Sequence, residues 1–200
     1  MENLSVSGSN FRAHALFGGA MSCELPNYLG DMSYFYVHRG EACFLSKFMV
    51  VPDQQEAFVN DDGSISVIIE VLEYQEVPDS KAAEFFFTDL MEANSATSSR
   101  ILELWSAPKG ESPVPGHTIT SLKGEFDVKK KGTPSPDHVC VRLAVIRIPE
   151  HRADVVLSMN ERKDETGGLS GAQAGSSGSL DRTFRVILES FKILNYELFA

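Results

Sequence analysis

The feature that most restricts the fold is a pair of strand-like runs that are apolar on both faces. In Ile65–Leu72, alternate β-branched residues point one way while Ile68 and Leu72 point the other way. In Val139–Ile148, the residues Val139, Val141, Leu143 and Val145 alternate with Cys140, Ala144, Ile146 and Ile148. Strands of this kind belong inside a sheet that is covered on both sides.

Two further segments have the spacing of amphipathic helices. After Pro78, the apolar residues recur at helical intervals: Ala83, Phe86, Phe87, Leu90 and Met91. A second stripe near the end of the chain consists of Leu180, Phe184, Ile187, Leu188, Phe191 and Leu194. Shorter strands are expected after Met21 and over 101–105, 117–128 and 155–159. Hairpin-type links predict an α/β fold: a largely antiparallel sheet of about six strands sandwiched between helices, α/β/α.

The chain length favours one domain over two. Residues 1–13 are expected to be a flexible polar tail, and residues 14–200 are expected to form a single domain. Within it, the aromatic stretch 27–44 has no clear period and is interpreted as an insertion. The stretch 161–179 is rich in Gly and Ser and predicts a flexible loop.

Charge and cysteine content exclude several classes of function. The net charge is −10, from 28 acidic and 18 basic residues, and such a surface repels nucleic acid and anionic membranes. The three cysteines form no CxxC pair, which is typical of free thiols in a reducing compartment. No secretory signal and no apolar run of membrane-spanning length is expected.

No sequence motif indicates covalent catalysis or a cofactor. The chain lacks a nucleophile elbow and a P-loop, and no histidine is paired with another ligand at metal-binding spacing along the chain. We therefore expect no catalytic residue, no metal and no cofactor, and a monomer that functions by binding another protein.

One acidic segment is the candidate site. It runs from Pro52 and contains Asp53, Gln54, Gln55 and Glu56. If it forms one helical turn, Asp53 and Glu56 lie on one face, where two carboxylates could bind a cation of a partner. Two alternatives remain open: the acids begin a helix and favour its dipole, or they form the acid/base pair of a hydrolase-type enzyme.

The segment Leu16–Ala20, followed by a short strand and Pro26, together with Val51–Phe58, resembles the Ran guanine-nucleotide release factor family. The later strands and closing helix are similar in order. The resemblance implies a PsbP-like fold, binding to the small GTPase Ran, release of its guanine nucleotide, a role in nuclear protein import, and presence in nucleus and cytoplasm. It also implies that Asp53 and Glu56 contact Ran, with Gln54 and Gln55 in support. A PsbP-like structural subunit is the remaining alternative.

Overall fold

The computed structural model describes residues 10–32, 53–129, 136–163 and 177–199. Ten strands and two α-helices lie in these ranges. The strands are β1 (Phe11–Leu16), β2 (Met21–Pro26), β3 (Gly30–Asp31), β4 (Gln55–Val59), β5 (Ile65–Glu73), β6 (Ala96–Ala107), β7 (Thr118–Val128), β8 (Asp137–Ile148), β9 (Ala153–Lys163) and β10 (Lys192–Ile193). The helices are α1 (Ala82–Ala93) and α2 (Ser177–Ser190). Within the described residues, no helix is both long enough and apolar enough to span a membrane.

The main sheet has seven strands in the order β3-β4-β5-β9-β8-β7-β6, and every pair is antiparallel. This confirms the largely antiparallel α/β fold, although the predicted number of six strands was wrong. A second, three-stranded sheet, β1-β2-β10, was not predicted, because it joins the two ends of the described chain. Such non-local pairing leaves no periodic pattern in the sequence.

The two helices pack against alternate residues of β8. Helix α1 shares a buried cluster with Val141, Leu143 and Val145. Helix α2 and the small sheet share another cluster with Ala144 and Ile146. Because successive residues of a strand point to opposite faces, the two clusters cover opposite faces of β8, as its apolar alternation predicted. The second face of β5 is less covered, since Ile68 is only half-buried.

Several predicted boundaries differ from the structure. Residues 11–13 belong to β1 rather than to a flexible tail, because β1 pairs along its whole length with β2. Residues 161–163 end β9 and residues 177–179 begin α2, so the predicted loop is shorter than 161–179. Leu194 lies beyond α2 and is 60% exposed, so it is not part of the buried stripe. Most of the predicted insertion 27–44, and residues 164–176, lie outside the described residues.

Candidate functional site

A tight turn between β1 and β2 provides one half of the candidate site. Phe17, Gly18 and Gly19 have φ values of 49°, 65° and 94°, so three consecutive residues are left-handed. Glycine adopts this conformation without strain, whereas Phe17 does so at a cost. Two consecutive glycines are typical of such a tight turn, and the strain at Phe17 indicates that other contacts hold it in place.

Glu56 supplies one of those contacts. It lies in β4 opposite the buried Ile69 of β5, and its Oε1 accepts a hydrogen bond from the Phe17 N–H at 2.7 Å. The two sequence segments that carry the family resemblance are therefore joined directly. Burial raises the pKa of Glu56, the hydrogen bond from Phe17 lowers it, and the nearby charge of Asp31 raises it further.

The expected helical turn over Asp53–Glu56 is wrong. Residues 53–54 form a turn and Gln55 begins β4, so Gln55 and Glu56 point to opposite faces of the sheet. The Gln55 side-chain amide donates to Glu70 on the other face. Pairing with β5 outweighs the helical preference of the local sequence, because each residue of β4 has a partner in that ladder.

Asp53 and Gln54 are exposed at the entrance to β4. The Gln54 carbonyl accepts from the Val71 N–H at 2.9 Å, which fixes the backbone of the turn. The four predicted residues therefore have three environments. Asp53 and Gln54 face solvent, Glu56 holds the Phe17 turn, and Gln55 lies on the opposite face.

Sequence reasoning missed two side chains beside β4, one near Glu56 and one against Phe58. Asp31 of β3 pairs with Phe58 of β4, and its charge affects the pKa values of both Glu56 and His14. The His14 ring packs edge-on against Phe58 with a centroid separation of 5.2 Å. Burial lowers the pKa of His14, and Arg12 lowers it further, while Asp31 opposes them. The carboxylate that neighbours Glu56 thus comes from another strand, so spacing along the chain could not reveal it.

Among the described residues, a cavity of about 660 Å³ lies elsewhere, between β6, β7 and α2. Its walls include Leu104, Trp105, Arg142, Asp181 and Phe184. Neither Asp53 nor Glu56 lines it. An acid/base pair requires two carboxylates in one partly dry site, and the exposed Asp53 lacks such surroundings.

Comparison with known proteins identifies the family of this chain. Residues 40–162 match the family model described as Mog1, Ran-interacting Mog1 protein, which covers more than half of the chain. The chain belongs to this Mog1 family. The matched region contains β4 through most of β9, including Asp53 and Glu56, whereas the Phe17 turn and α2 lie outside it.

Related proteins cover nearly the whole chain. The Ran guanine nucleotide release factor of Danio rerio is 28% identical over 195 residues, which cover 92% of this chain and 98% of the relative. The nuclear import protein mog1 of Schizosaccharomyces pombe is 27% identical over 188 residues, covering 88% and 90% of the two chains. The crystal structure of the Saccharomyces cerevisiae Ran-binding protein Mog1p superposes with a TM-score of 0.69 at 23% identity, covering 96% of this chain and 99% of that structure. This structural likeness supports the Mog1 fold.

Proposed function

We propose that this protein binds the small GTPase Ran and promotes release of its guanine nucleotide, in support of nuclear protein import. Membership of the Ran-interacting Mog1 family supports the partner, and the names of the relatives support nucleotide release and nuclear import. The role is non-catalytic, and the protein acts in the nucleus and cytoplasm as a monomer.

The proposed contact surface is the motif edge, defined as the turn 16–19 and residues 53–56. The observation that carries it is the hydrogen bond from the Phe17 N–H to Glu56, because it joins both segments of the family resemblance in one place. In this surface, Asp53 offers an exposed carboxylate to a cationic group of Ran, and Gln54 offers an exposed amide beside it.

Glu56 contributes to the motif edge in two ways. Its Oε1 holds the strained Phe17 turn, and its charge adds to the acidic potential formed with Asp31. Gln55 acts indirectly: its contact with Glu70 ties β4 to β5 and thereby fixes the start of the strand that carries Glu56.

Nucleotide release follows from preferential binding. GTPases of this kind hold their nucleotide through a lysine, a Mg²⁺ ion and backbone amides around the phosphates. An acidic surface that attracts the lysine or the metal competes with the phosphates. A release factor must bind the nucleotide-free state more tightly than the loaded state, because equal affinity for both shifts no equilibrium. By linkage, the nucleotide weakens factor binding by the same ratio.

The two alternatives receive no comparable support. An acid/base enzyme requires Asp53 and Glu56 to share a concave site, but Asp53 is exposed and Glu56 is occupied by the Phe17 N–H. A PsbP-like structural subunit would use the fold alone and gives no reason for an acidic motif edge.

The test is titration calorimetry with purified nucleotide-free Ran, beside release of a fluorescent guanine nucleotide. We expect Asp53→Asn to weaken binding at least about tenfold, as for removal of one partner of a desolvated charge pair, with unchanged thermal stability. Glu92→Gln is the control, because Glu92 is an exposed acid at the end of α1 and loses the same charge. Unchanged affinity in Asp53→Asn would place the contact elsewhere.

The two functions of Glu56 can be separated by paired variants. Glu56→Gln keeps an acceptor for the Phe17 N–H but removes the charge, so binding should weaken while stability stays close to wild type. Glu56→Ala also removes the acceptor and should cost about 1–2 kcal/mol of stability, since a partly buried N–H loses its partner. If Glu56→Gln binds like wild type and only Glu56→Ala binds weakly, Glu56 positions the turn and does not contact Ran.

A further inference from the structure

Four side chains that can bind metals meet on one face of β7 and β8. Strands β5 and β9 separate this pair from β4 in the sheet. Glu125 lies directly opposite Cys140, and Asp127 lies directly opposite His138 in the same ladder. Residues two apart on a strand share a face, so all four project to the same side. Spacing along the chain hid this cluster, because half of it comes from each strand.

His138 is held in the orientation of a metal ligand. Its Nδ1 lies 2.8 Å from Asp127 Oδ1. A carboxylate in this contact accepts, so Nδ1 carries the proton, and Nε2 of the neutral ring has a free lone pair. Metal-binding histidines typically donate their second ring nitrogen to a carboxylate in this way.

The free nitrogen faces two other ligand atoms. His138 Nε2 lies 3.6 Å from Glu125 Oε2, and the ligand atoms of Glu125, His138 and Cys140 all lie within 4.8 Å of one another. Arg100 pairs with the other oxygen of Glu125, Oε1, at 2.6 Å. That ion pair fixes the carboxylate while leaving Oε2 directed at the histidine.

We propose that Glu125, His138 and Cys140 form a zinc site, with Asp127 as the residue that positions His138. A set of one thiolate, one imidazole and one carboxylate is a ligand combination that Zn²⁺ accepts, whereas Ca²⁺ and Mg²⁺ prefer oxygen ligands only. The His138 side chain is 39% exposed and that of Glu125 is 21% exposed. Water therefore reaches the site and supplies the fourth ligand.

A further carboxylate, already paired with an arginine, lies beside Cys140. Glu161 of β9 lies opposite Cys140 on the side away from Glu125 and is 7% exposed. Its carboxylate faces the Arg142 guanidinium at 3.6 Å. Zinc binding would displace the Cys140 thiol proton to solvent, since the thiolate is the ligand. The resulting site would link β7 to β8 without involving the motif edge, so it is independent of the proposed Ran contact.

The alternative is a histidine cation bridging Glu125 and Asp127, which requires no contribution from Cys140. The two are distinguished with tag-free full-length protein, reduced and then freed of metal, and titrated with Zn²⁺ or with Co²⁺ as a coloured substitute. We expect one equivalent to bind, with a thiolate-to-cobalt charge-transfer band that Zn²⁺ abolishes, and with heat that depends on the buffer because a proton is released.

Cys140→Ser should remove the charge-transfer band and weaken Zn²⁺ binding at least tenfold, and His138→Gln should weaken it similarly. Glu125→Gln, at a partly exposed position, provides a ligand variant that leaves the core intact. Cys23→Ser is the control, because Cys23 is a buried thiol in the other sheet whose pKa is raised to about 12 by burial. No charge-transfer band in the wild type, or a band that persists in folded Cys140→Ser, would overturn the proposal.

Discussion

Two buried arginines on β8 hold the molecule together in different ways. Arg142 is 2% exposed and Arg147 is 1% exposed. They are five residues apart on the strand, so they project to opposite faces of the sheet. Arg147 lies on the α1 side and Arg142 on the α2 side, and each fixes the segment that carries its helix.

Arg147 forms the closed cluster: its side chain is 1% exposed and one carboxylate partner, Asp154, is fully buried, although the other, Asp79, is 50% exposed. Its guanidinium donates to the Gln75 carbonyl at 2.8 Å and lies 4.1 Å from the centre of the Tyr74 ring. It also faces Asp79 at 3.3 Å and the fully buried Asp154 at 3.4 Å. These contacts fix residues 74–79, which lead into α1. Burial raises the pKa of Asp154 to about 6, against the hydrogen bond from Gln75 and the charge of Arg147, which lower it.

Arg142 forms the open cluster: its side chain is only 3% exposed, but its partner Asp181 reaches water. Its Nε donates to Asp181 of α2 at 2.5 Å, and the Asp181 side chain is 42% exposed. Lys123 donates to the same carboxylate at 2.8 Å. Burial alone would raise the pKa of Asp181, but the hydrogen bonds from Lys123 and Arg142 lower it overall. Arg142 and Asp181 line the 660 Å³ cavity beside Trp105.

At the two arginines, the balance between desolvation of the partner carboxylate and its attraction to cations differs. In the closed cluster, desolvation of Asp154 outweighs its attraction to Arg147. In the open cluster, solvation and two cationic donors keep Asp181 charged. A buried ion pair is therefore weak evidence for stability by itself, although breaking it leaves a charge without compensation.

The largest effect is expected at the closed cluster. Arg147→Met keeps much of the side-chain volume but leaves Asp154 without its cation, and we expect a loss of about 3–5 kcal/mol in the free energy of unfolding. Urea denaturation at neutral pH measures it. Arg182→Met on the exposed face of α2 is the control and should change stability little. A loss below about 1 kcal/mol in Arg147→Met would show that Asp154 is neutral in the folded protein.

The sequence predicted the strand that carries these arginines, but it did not predict the residues that pair with them. The apolar alternation of Val139–Ile148 gave strand β8 and its two covered faces, because period-two patterning is local. Arg142 and Arg147 interrupt that pattern, and nothing nearby in the sequence identifies Asp181 or Asp154 as their partners. Similarly, the strand predicted over 101–105 extends over Ala96–Ala107, because its polar first half pairs with β7 without an apolar signal.

At the candidate site, too, local features were predictable and long-range contacts were not. The Phe17 turn was predictable, because two consecutive glycines mark left-handed backbone. The environment of Glu56 was not, since its partners Phe17 and Asp31 come from distant segments. The acids after Pro52 favoured a helix start, yet pairing with β5 made this segment a strand. Local backbone conformation was therefore predictable from residue types, whereas contacts between segments that are distant in the sequence were not.

A smaller loss is expected at the open cluster. Arg142→Met removes the cation from Glu161 and Asp181, but Asp181 keeps Lys123 and contact with water. We expect a loss of about 2 kcal/mol, because Glu161 remains buried without a cation. The loss should be below that of Arg147→Met, which also removes the donor to the Gln75 carbonyl and the contact with the Tyr74 ring. The same urea experiment compares the two variants directly. Equal losses would contradict the distinction between closed and open clusters.

The smallest expected effect is a pH dependence of the free energy of unfolding, which should differ between Asp154 and Asp181. The pKa of Asp154 is about 6 in the folded protein against a reference value of 3.8, so the folded state binds its proton more tightly than the unfolded state does. Stability from this group is therefore fully present below about pH 4 and is lost as the pH rises towards 6 and above. Between about pH 5 and about pH 7 the loss should be roughly 1 kcal/mol.

Asp154→Asn should remove that part of the slope, measured as the difference from wild type in urea titrations at both pH values. Asp181→Asn is the matched control: the pKa of Asp181 is lowered, so its stabilisation is lost only as the pH falls below its usual range. The control should therefore keep the wild-type slope between about pH 5 and about pH 7. Other partly buried carboxylates such as Glu70, whose pKa is also raised by burial, contribute equally to all three proteins and cancel in the comparison. If Asp154→Asn and wild type lose stability in parallel, Asp154 is ionised throughout this range, and Arg147 then compensates its burial after all.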